Sequence, residues 1–142
     1  MAEFILKKKV AEKGLQDSFR IASAATSSEE IWGGRGNPVY PPAKKELKKH
    51  GISCEGKRAV QMTKTDYDRY DYIIAMEHWN VRNILRIVGN DPQRKISLLM
   101  DYSENPRDIS DPWYTGDFDT AYSDIEEGCD AFLNFLIRNG RV

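Results

Sequence analysis

The stretch "DYIIAMEHWNVRNILRIVGNDPQRKISLLM" (71–100) decides the architecture. "DYIIAM" (71–76) is a continuous apolar run of strand length, and "KISLLM" (95–100) is a second. Such runs are expected of strands covered on both faces, as in a parallel sheet. Between them, "WNVRNILRIV" (79–88) puts Ile84, Leu85 and Val88 on one helical face and stops at Gly89. Strand, helix and strand in this order form a crossover unit. The unit predicts an α/β chain with helices on both faces of a parallel sheet.

Downstream, a long loop with Pro106 and Pro112 leads to a predicted helix over 118–138. There Phe118, Tyr122, Ile125, Cys129, Phe132 and Leu136 recur every three to four residues. Upstream, "TKTDYDRY" (63–70) predicts one helical turn opened by a Thr63/Asp66 capping pair. Pro41 and Pro42 suit the first turn of a short helix that runs through Leu47 and ends at Gly51. "FRIASA" (19–24) alternates like a strand, with Ile21 and Ser23 on one face. The opening "MAEFILKKKV" predicts a helix from Ala2 to Lys13, with Ile5, Leu6 and Val10 inward and Gly14 as its stop. In a crossover layout this helix should follow a strand, and none precedes it in the sequence. The expectation is an architecture short of one element at the N-terminus.

The 142 residues suit one domain with one core. A formal net charge of −1 argues against a nucleic-acid binder. The lysine clusters at 7–9, 44–45 and 48–49 read as solvated helix faces. Two scattered cysteines, Cys54 and Cys129, suggest a reduced cytosolic protein rather than a disulfide scaffold. No apolar run reaches membrane-spanning length, so no membrane association is expected.

The most pointed chemical signal is "ISDPWYTGDFD" (109–119). A carboxylate locked before proline and followed by two large aromatics makes a stiff loop. It could hold Asp111 as a proton donor beside a flat ring sandwiched by Trp113 and Tyr114. Asp-Pro is equally an ordinary turn. No nucleophile is evident. Cys129 lies on the inner stripe of the last helix and reads as a small buried hydrophobe. Cys54, near Lys57 and Arg58, lacks a Gly-rich loop and a following helix start, so a structural reading is favoured. His50, His78 and the cysteines give no metal-ligand spacing, and no Gly-x-Ser-x-Gly is present. No cofactor or metal is expected.

"ISDPWYTGDFDTAYSDIEEGC", "ASAATSSEEI", "KKHGI", "KRAVQMTKTDYDRYDYIIAMEHWNVRNIL" and the "MAE" start, in this order, resemble the low-molecular-weight protein tyrosine phosphatases. "GNPVYPPA" (36–43) looks like a bacterial variant of the family's loop. The resemblance implies a three-layer, doubly wound, four-stranded parallel sheet. It also implies a Cys-x5-Arg loop between first strand and first helix, whose amides bind phosphate and whose thiolate attacks phosphorus. In the family, Met-Ala-Glu often follows that loop directly. This chain holds no Cys-x5-Arg: Val60 lies six residues after Cys54, and Phe135 six after Cys129.

By resemblance, Asp111 matches the general acid and base, and Trp113 and Tyr114 match the aromatic walls. Ser23 matches the serine that buttresses the phosphate loop. The family's Gly-His-Arg is here Gly56-Lys57-Arg58, and its Met-Asp-x-x-Asn is Met76-Glu77-His78-Trp79-Asn80. Glu29 and Glu30 replace its aromatic after Thr-Ser, with Trp32 nearby. The expected substrate is a phosphotyrosine protein or aryl phosphate. The central first strand and the nucleophile are expected to be missing, so the chain as written should be inactive. A start codon assigned at an internal Met would explain this, and in-frame codons before Met1 should then encode a short strand and Cys-x5-Arg-Ser-Pro. The alternatives are a non-catalytic binding or regulatory relative and an arsenate reductase of the same fold. Exposed strand edges are expected to cause poor stability, dimerisation or a rearranged sheet.

Overall fold

The computed structural model describes residues 1–27, 31–32 and 35–142, with backbone alone for 31–32. Glu29 and Glu30 lie outside the described residues, as does the side chain of Trp32. Helix α1 spans Ala2–Glu12 and buries Ile5 and Val10. It ends at Lys13, and Gly14 supplies the left-handed turn (φ 68°) that leads the chain away. A single 3₁₀ turn, Gln16–Ser18, follows.

β1 (Ile31–Trp32) and β2 (Arg35–Gly36) form a small antiparallel pair. α2 (Pro41–Lys49) starts with the expected prolines in its first turn. α3 (Asp66–Arg69) is the predicted single turn, and its Asp66 carboxylate accepts from the Thr63 amide at 2.9 Å. The crossover unit is present as β3 (Ile73–Ala75), α4 (His78–Val88) and β4 (Ile96–Leu98), with the two strands parallel. Their register pairs Ile73 with Ile96 and Ala75 with Leu98. The 3₁₀ turn Leu99–Tyr102 and the short helix α5 (Pro112–Thr115) precede α6 (Phe118–Arg138), whose bounds are those the apolar stripe predicts.

Two apolar clusters lie on opposite sides of the β3–β4 pair. One joins Ile5, Leu47, Leu99, Ile125, Cys129 and Phe132, with Ile74 packed against it. The other joins Met62, Tyr67, Ala75, Ile84, Val88 and Leu98, with Ile73 against it. Helices α1 and α6 therefore cover one face and α4 the other, in three layers.

Three expectations need correction. Residues 19–24 do not form a strand; the stretch makes only an isolated bridge at its end, Ala25 to Gln61. A strand needs a neighbour to bond with, and among the described residues none shares a backbone hydrogen bond with 20–24. Among the described residues the parallel sheet accordingly holds two strands, β3 and β4. Ile73 and Ile74, expected to be enclosed, are only half-buried because the far side of β3 is open. Finally, Lys9 is not solvated: its side chain is 15% exposed and it binds Asp130 at 2.9 Å and Glu126 at 3.6 Å, tying α1 to α6.

Candidate active site

Asp111 stands immediately before α5 and caps it, its Oδ1 accepting from the Trp113 amide at 2.9 Å. Pro112 at the first helical position and Gly116 at the left-handed end (φ 73°) make α5 a rigid four-residue turn. Sequence chemistry alone thus positions the carboxylate. Two further contacts hold the loop before it. Arg107 pairs with Asp124 (2.9 Å) and Glu127 (3.3 Å) of α6. The Asp108 carboxylate meets the His78 ring at 2.6 Å and accepts from the His78 amide at 3.3 Å.

Trp113 and Tyr114 are 54% and 81% exposed, so they stand as open walls rather than core. The tertiary structure adds a third wall. Tyr40, brought over by the turn into α2, lies 4.3 Å from Trp113 and 6.0 Å from Phe118 between ring centroids. "GNPVYPPA" presents this tyrosine in the sequence, but no local pattern tells that it meets a loop more than seventy residues on.

These side chains rim a cavity of about 900 Å³. Asp111 lines it, as does a charged cluster of Glu3, Ser23 and Lys57. The Ser23 hydroxyl donates to Glu3 Oε1 (2.7 Å), and Lys57 binds the same oxygen at 3.0 Å. Lys7 binds Glu3 Oε2 at 2.6 Å. Burial alone would raise the Glu3 pKa. The hydrogen bonds from Lys7, Ser23 and Lys57 outweigh it and hold the carboxyl down at about 2. Sequence reading missed this cluster, because it joins three segments distant along the chain.

Glu77 and Asn80 form a reciprocal capping box that starts α4 beside the Asp111 loop. Burial pushes the Glu77 carboxyl pKa up, and the nearby Asp111 and Asp108 charges add to this. A hydrogen bond from the Asp111 backbone opposes it. Both cysteines are buried, at 5% (Cys54) and 1% (Cys129) exposure. Burial pushes the Cys129 thiol up to about 12, so it is no thiolate at neutral pH. Among the described residues no group of three His, Cys, Asp or Glu is placed to hold a metal ion, and no helix is long and apolar enough to cross a membrane.

The arrangement offers a carboxyl group held by its own turn, three aromatic rings beside it and a charged cluster in the same cavity. A family model described as low molecular weight phosphotyrosine protein phosphatase matches residues 1–142. The chain is 35% identical over 135 residues to the low molecular weight protein-tyrosine-phosphatase YfkJ of Bacillus subtilis, covering 94% of this chain and 84% of that one. It is 37% identical over 138 residues to the low molecular weight phosphotyrosine protein phosphatase of Gallus gallus, with the same coverages. A crystal structure of Bacillus subtilis YfkJ overlays with a TM-score of 0.89 at 32% identity, covering 97% of this chain and 86% of that one.

Proposed function

The chain belongs to the low-molecular-weight phosphotyrosine protein phosphatase family, and from that premise we propose that these 142 residues carry the proton-transfer and substrate-slot half of a phosphotyrosine monoester hydrolase, as one domain of bacterial, cytoplasmic type. The observation that carries the reading is Asp111, held by its own cap at the cavity rim beside the Trp113, Tyr114 and Tyr40 rings. An aryl ring seated among these walls would put its ester oxygen within reach of the carboxyl.

In the reaction we propose, a cysteine thiolate attacks phosphorus and the bond from phosphorus to the aryl oxygen breaks. Asp111, protonated, gives its proton to the departing phenolate oxygen. Asp111, now ionised, then takes a proton from water as that water attacks the cysteinyl phosphate. The thiolate leaves and inorganic phosphate is released. Ser23, through Glu3, positions the pocket end where the phosphate would sit.

The nucleophile of this scheme is neither Cys54 nor Cys129. Both are buried, and neither is followed at the sixth residue by arginine. The strand and Cys-x5-Arg loop that the family places ahead of its first helix are therefore, in this reading, not among these 142 residues. The chain alone is inactive, since it lacks both the thiolate and the amides that stabilise charge on phosphorus. Its substrate is a phosphotyrosine protein.

The test joins an apolar strand and a Cys-x5-Arg-Ser-Pro segment directly ahead of Met1 and assays an aryl phosphate beside the 142-residue protein. The joined protein should turn over and the 142-residue protein should not. Asp111→Asn in the joined protein should lower kcat by roughly 10²–10⁴-fold. Turnover by the purified 142-residue protein, or an Asp111→Asn variant with unchanged kcat, overturns the reading.

A further inference from the structure

Helix α4 carries no acidic residue along His78–Val88, whereas α1, α2 and α6 each carry at least one. Its inner face, with Ile84 and Val88, packs on β3 and β4. Its outer face presents Trp79, Arg82 and Arg86, at the spacings of three and four that put side chains in one line. All three are exposed, Trp79 at 53%. The Arg82 guanidinium lies over the Trp79 ring, 5.4 Å from its centroid, so the two side chains form one surface. Arg86 donates to Asn83 Oδ1 at 3.4 Å. Neither arginine pairs with a carboxylate among the described residues.

The stripe begins where α4 begins, against the loop that carries Asp111. There the Met76 carbonyl accepts from the Ile109 amide at 2.9 Å. The carboxylates adjoining this start are engaged: Asp108 with the His78 ring and amide, Glu77 with the amides of Asn80 and Asp111. Neither neutralises the arginines. The stripe turns away from the cavity, which Asn80 and Ile84 line from the same helix, so it is a surface separate from the aromatic slot.

The side chains specify what fits. A guanidinium is weakly hydrated and forks onto a carboxylate, and an exposed tryptophan offers a flat apolar anchor. Arg82 and Arg86 are one turn apart, about 6 Å of rise, close to the roughly 6.8 Å between alternate residues of an extended chain. Two arginines are too few for a membrane surface or a phosphate backbone, which take clusters of cations, and the chain's net charge is −1.

We propose that Trp79, Arg82 and Arg86 form a docking surface for an extended acidic segment of the protein substrate. The segment has carboxylates at two alternate positions and an apolar residue at one end. The carboxylates pair with Arg82 and Arg86, and the apolar side chain covers the Trp79 ring. Docking there holds the partner beside the Asp111 loop and raises the effective concentration of its phosphotyrosine at the slot. The inference rests on the preceding reading in one respect, that the partner is the phosphotyrosine protein; the docking itself does not depend on turnover.

The test titrates the isotope-labelled 142-residue protein with an unphosphorylated peptide that carries leucine, glutamate and glutamate at alternate positions, with serine between. The control has lysine in place of both glutamates. The acidic peptide should shift the Trp79 indole and the Arg82 and Arg86 side-chain resonances. It should bind about tenfold tighter than the control at about 20 mM salt, and most of that preference should vanish at about 0.5 M. Arg82→Glu with Arg86→Glu should invert the preference, and Trp79→Ala should weaken binding about threefold. If the charge-reversed protein melts early, Arg82→Gln with Arg86→Gln should abolish the preference instead. No binding at millimolar peptide overturns the proposal. So does equal binding of the two peptides, a preference that survives both arginine variants, or shifts confined to other surfaces. Tighter binding to anionic vesicles or to a single-stranded oligonucleotide at the same salt also overturns it. Because no phosphate is present, hydrolysis is not read: failure here leaves the Asp111 assay to judge the phosphatase reading, and failure there leaves the docking result standing.

Discussion

Glu3 shows how much one residue can do across a fold that is open beside it. Its carboxylate gathers Lys7, Lys57 and Ser23 from three segments, and the side chain is only 5% exposed. With the folded pKa near 2 against an ordinary 4.5, the charged form is the stabilising one. Its contribution is complete above about 4.5 and fades as pH falls toward 2. Glu3→Gln should cost on the order of 2 kcal/mol at pH 7, as expected for charged hydrogen bonds. The cost should shrink markedly at pH 3, and urea titrations of both proteins at the two pH values measure it. An equal cost at both values would show that the carboxylate's charge is irrelevant. The sequence marks Lys57 only as a departure from a family histidine; its partner became visible through tertiary contact. Asp111, by contrast, was legible, because Asp-Pro followed by aromatics and glycine builds its own capped turn.

At the scale of elements, α6 is the most legible part, and it packs closely against its neighbours. Its stripe repeats at the helical period over the whole of Phe118–Arg138, so local pattern and burial agree. Gly128 breaks that stripe for a reason the pattern does not contain. A Cβ there would lie 2.6 Å from Leu99 Cγ and 2.8 Å from Met100 Sδ. The missing side chain lets the 3₁₀ turn after β4 press directly on the helix. Gly128→Ala should destabilise by ~1–3 kcal/mol despite alanine's better helix propensity, because overpacking outweighs it. Thermal melts of the variant decide this, and an unchanged or raised Tm would count against close packing. Residues 19–24 are the opposite case. They alternate as a strand should, yet remain unpaired, since strand formation depends on a neighbour and not on the pattern alone.

Across the whole molecule, stability should be uneven. The cluster joining α1, α6 and the 3₁₀ turn after β4 encloses Ile5, Met100, Cys129 and Leu136, all at most 3% exposed. The opposite wall of the cavity has unpaired backbone and half-buried strand residues. Native-state hydrogen exchange should therefore find the central amides of α6 the slowest. Amides of 20–24 should exchange close to the rate of an unstructured chain. Uniform protection across both regions would refute this division.

What the sequence by itself determined was whatever is local in cause. The crossover unit, the α6 stripe, the capped α4 and the Asp111 turn each follow from side-chain period and from hydrogen bonds spanning a few residues. Only the tertiary structure decided the rest: that Tyr40 stands against Trp113, that Glu3 joins Lys57 and Ser23, and that 20–24 and β3 face each other across an open slot. These are meetings of segments far apart in the chain. No local spacing encodes them, because they depend on which surfaces the whole core brings together and on which backbone edges it leaves unbonded.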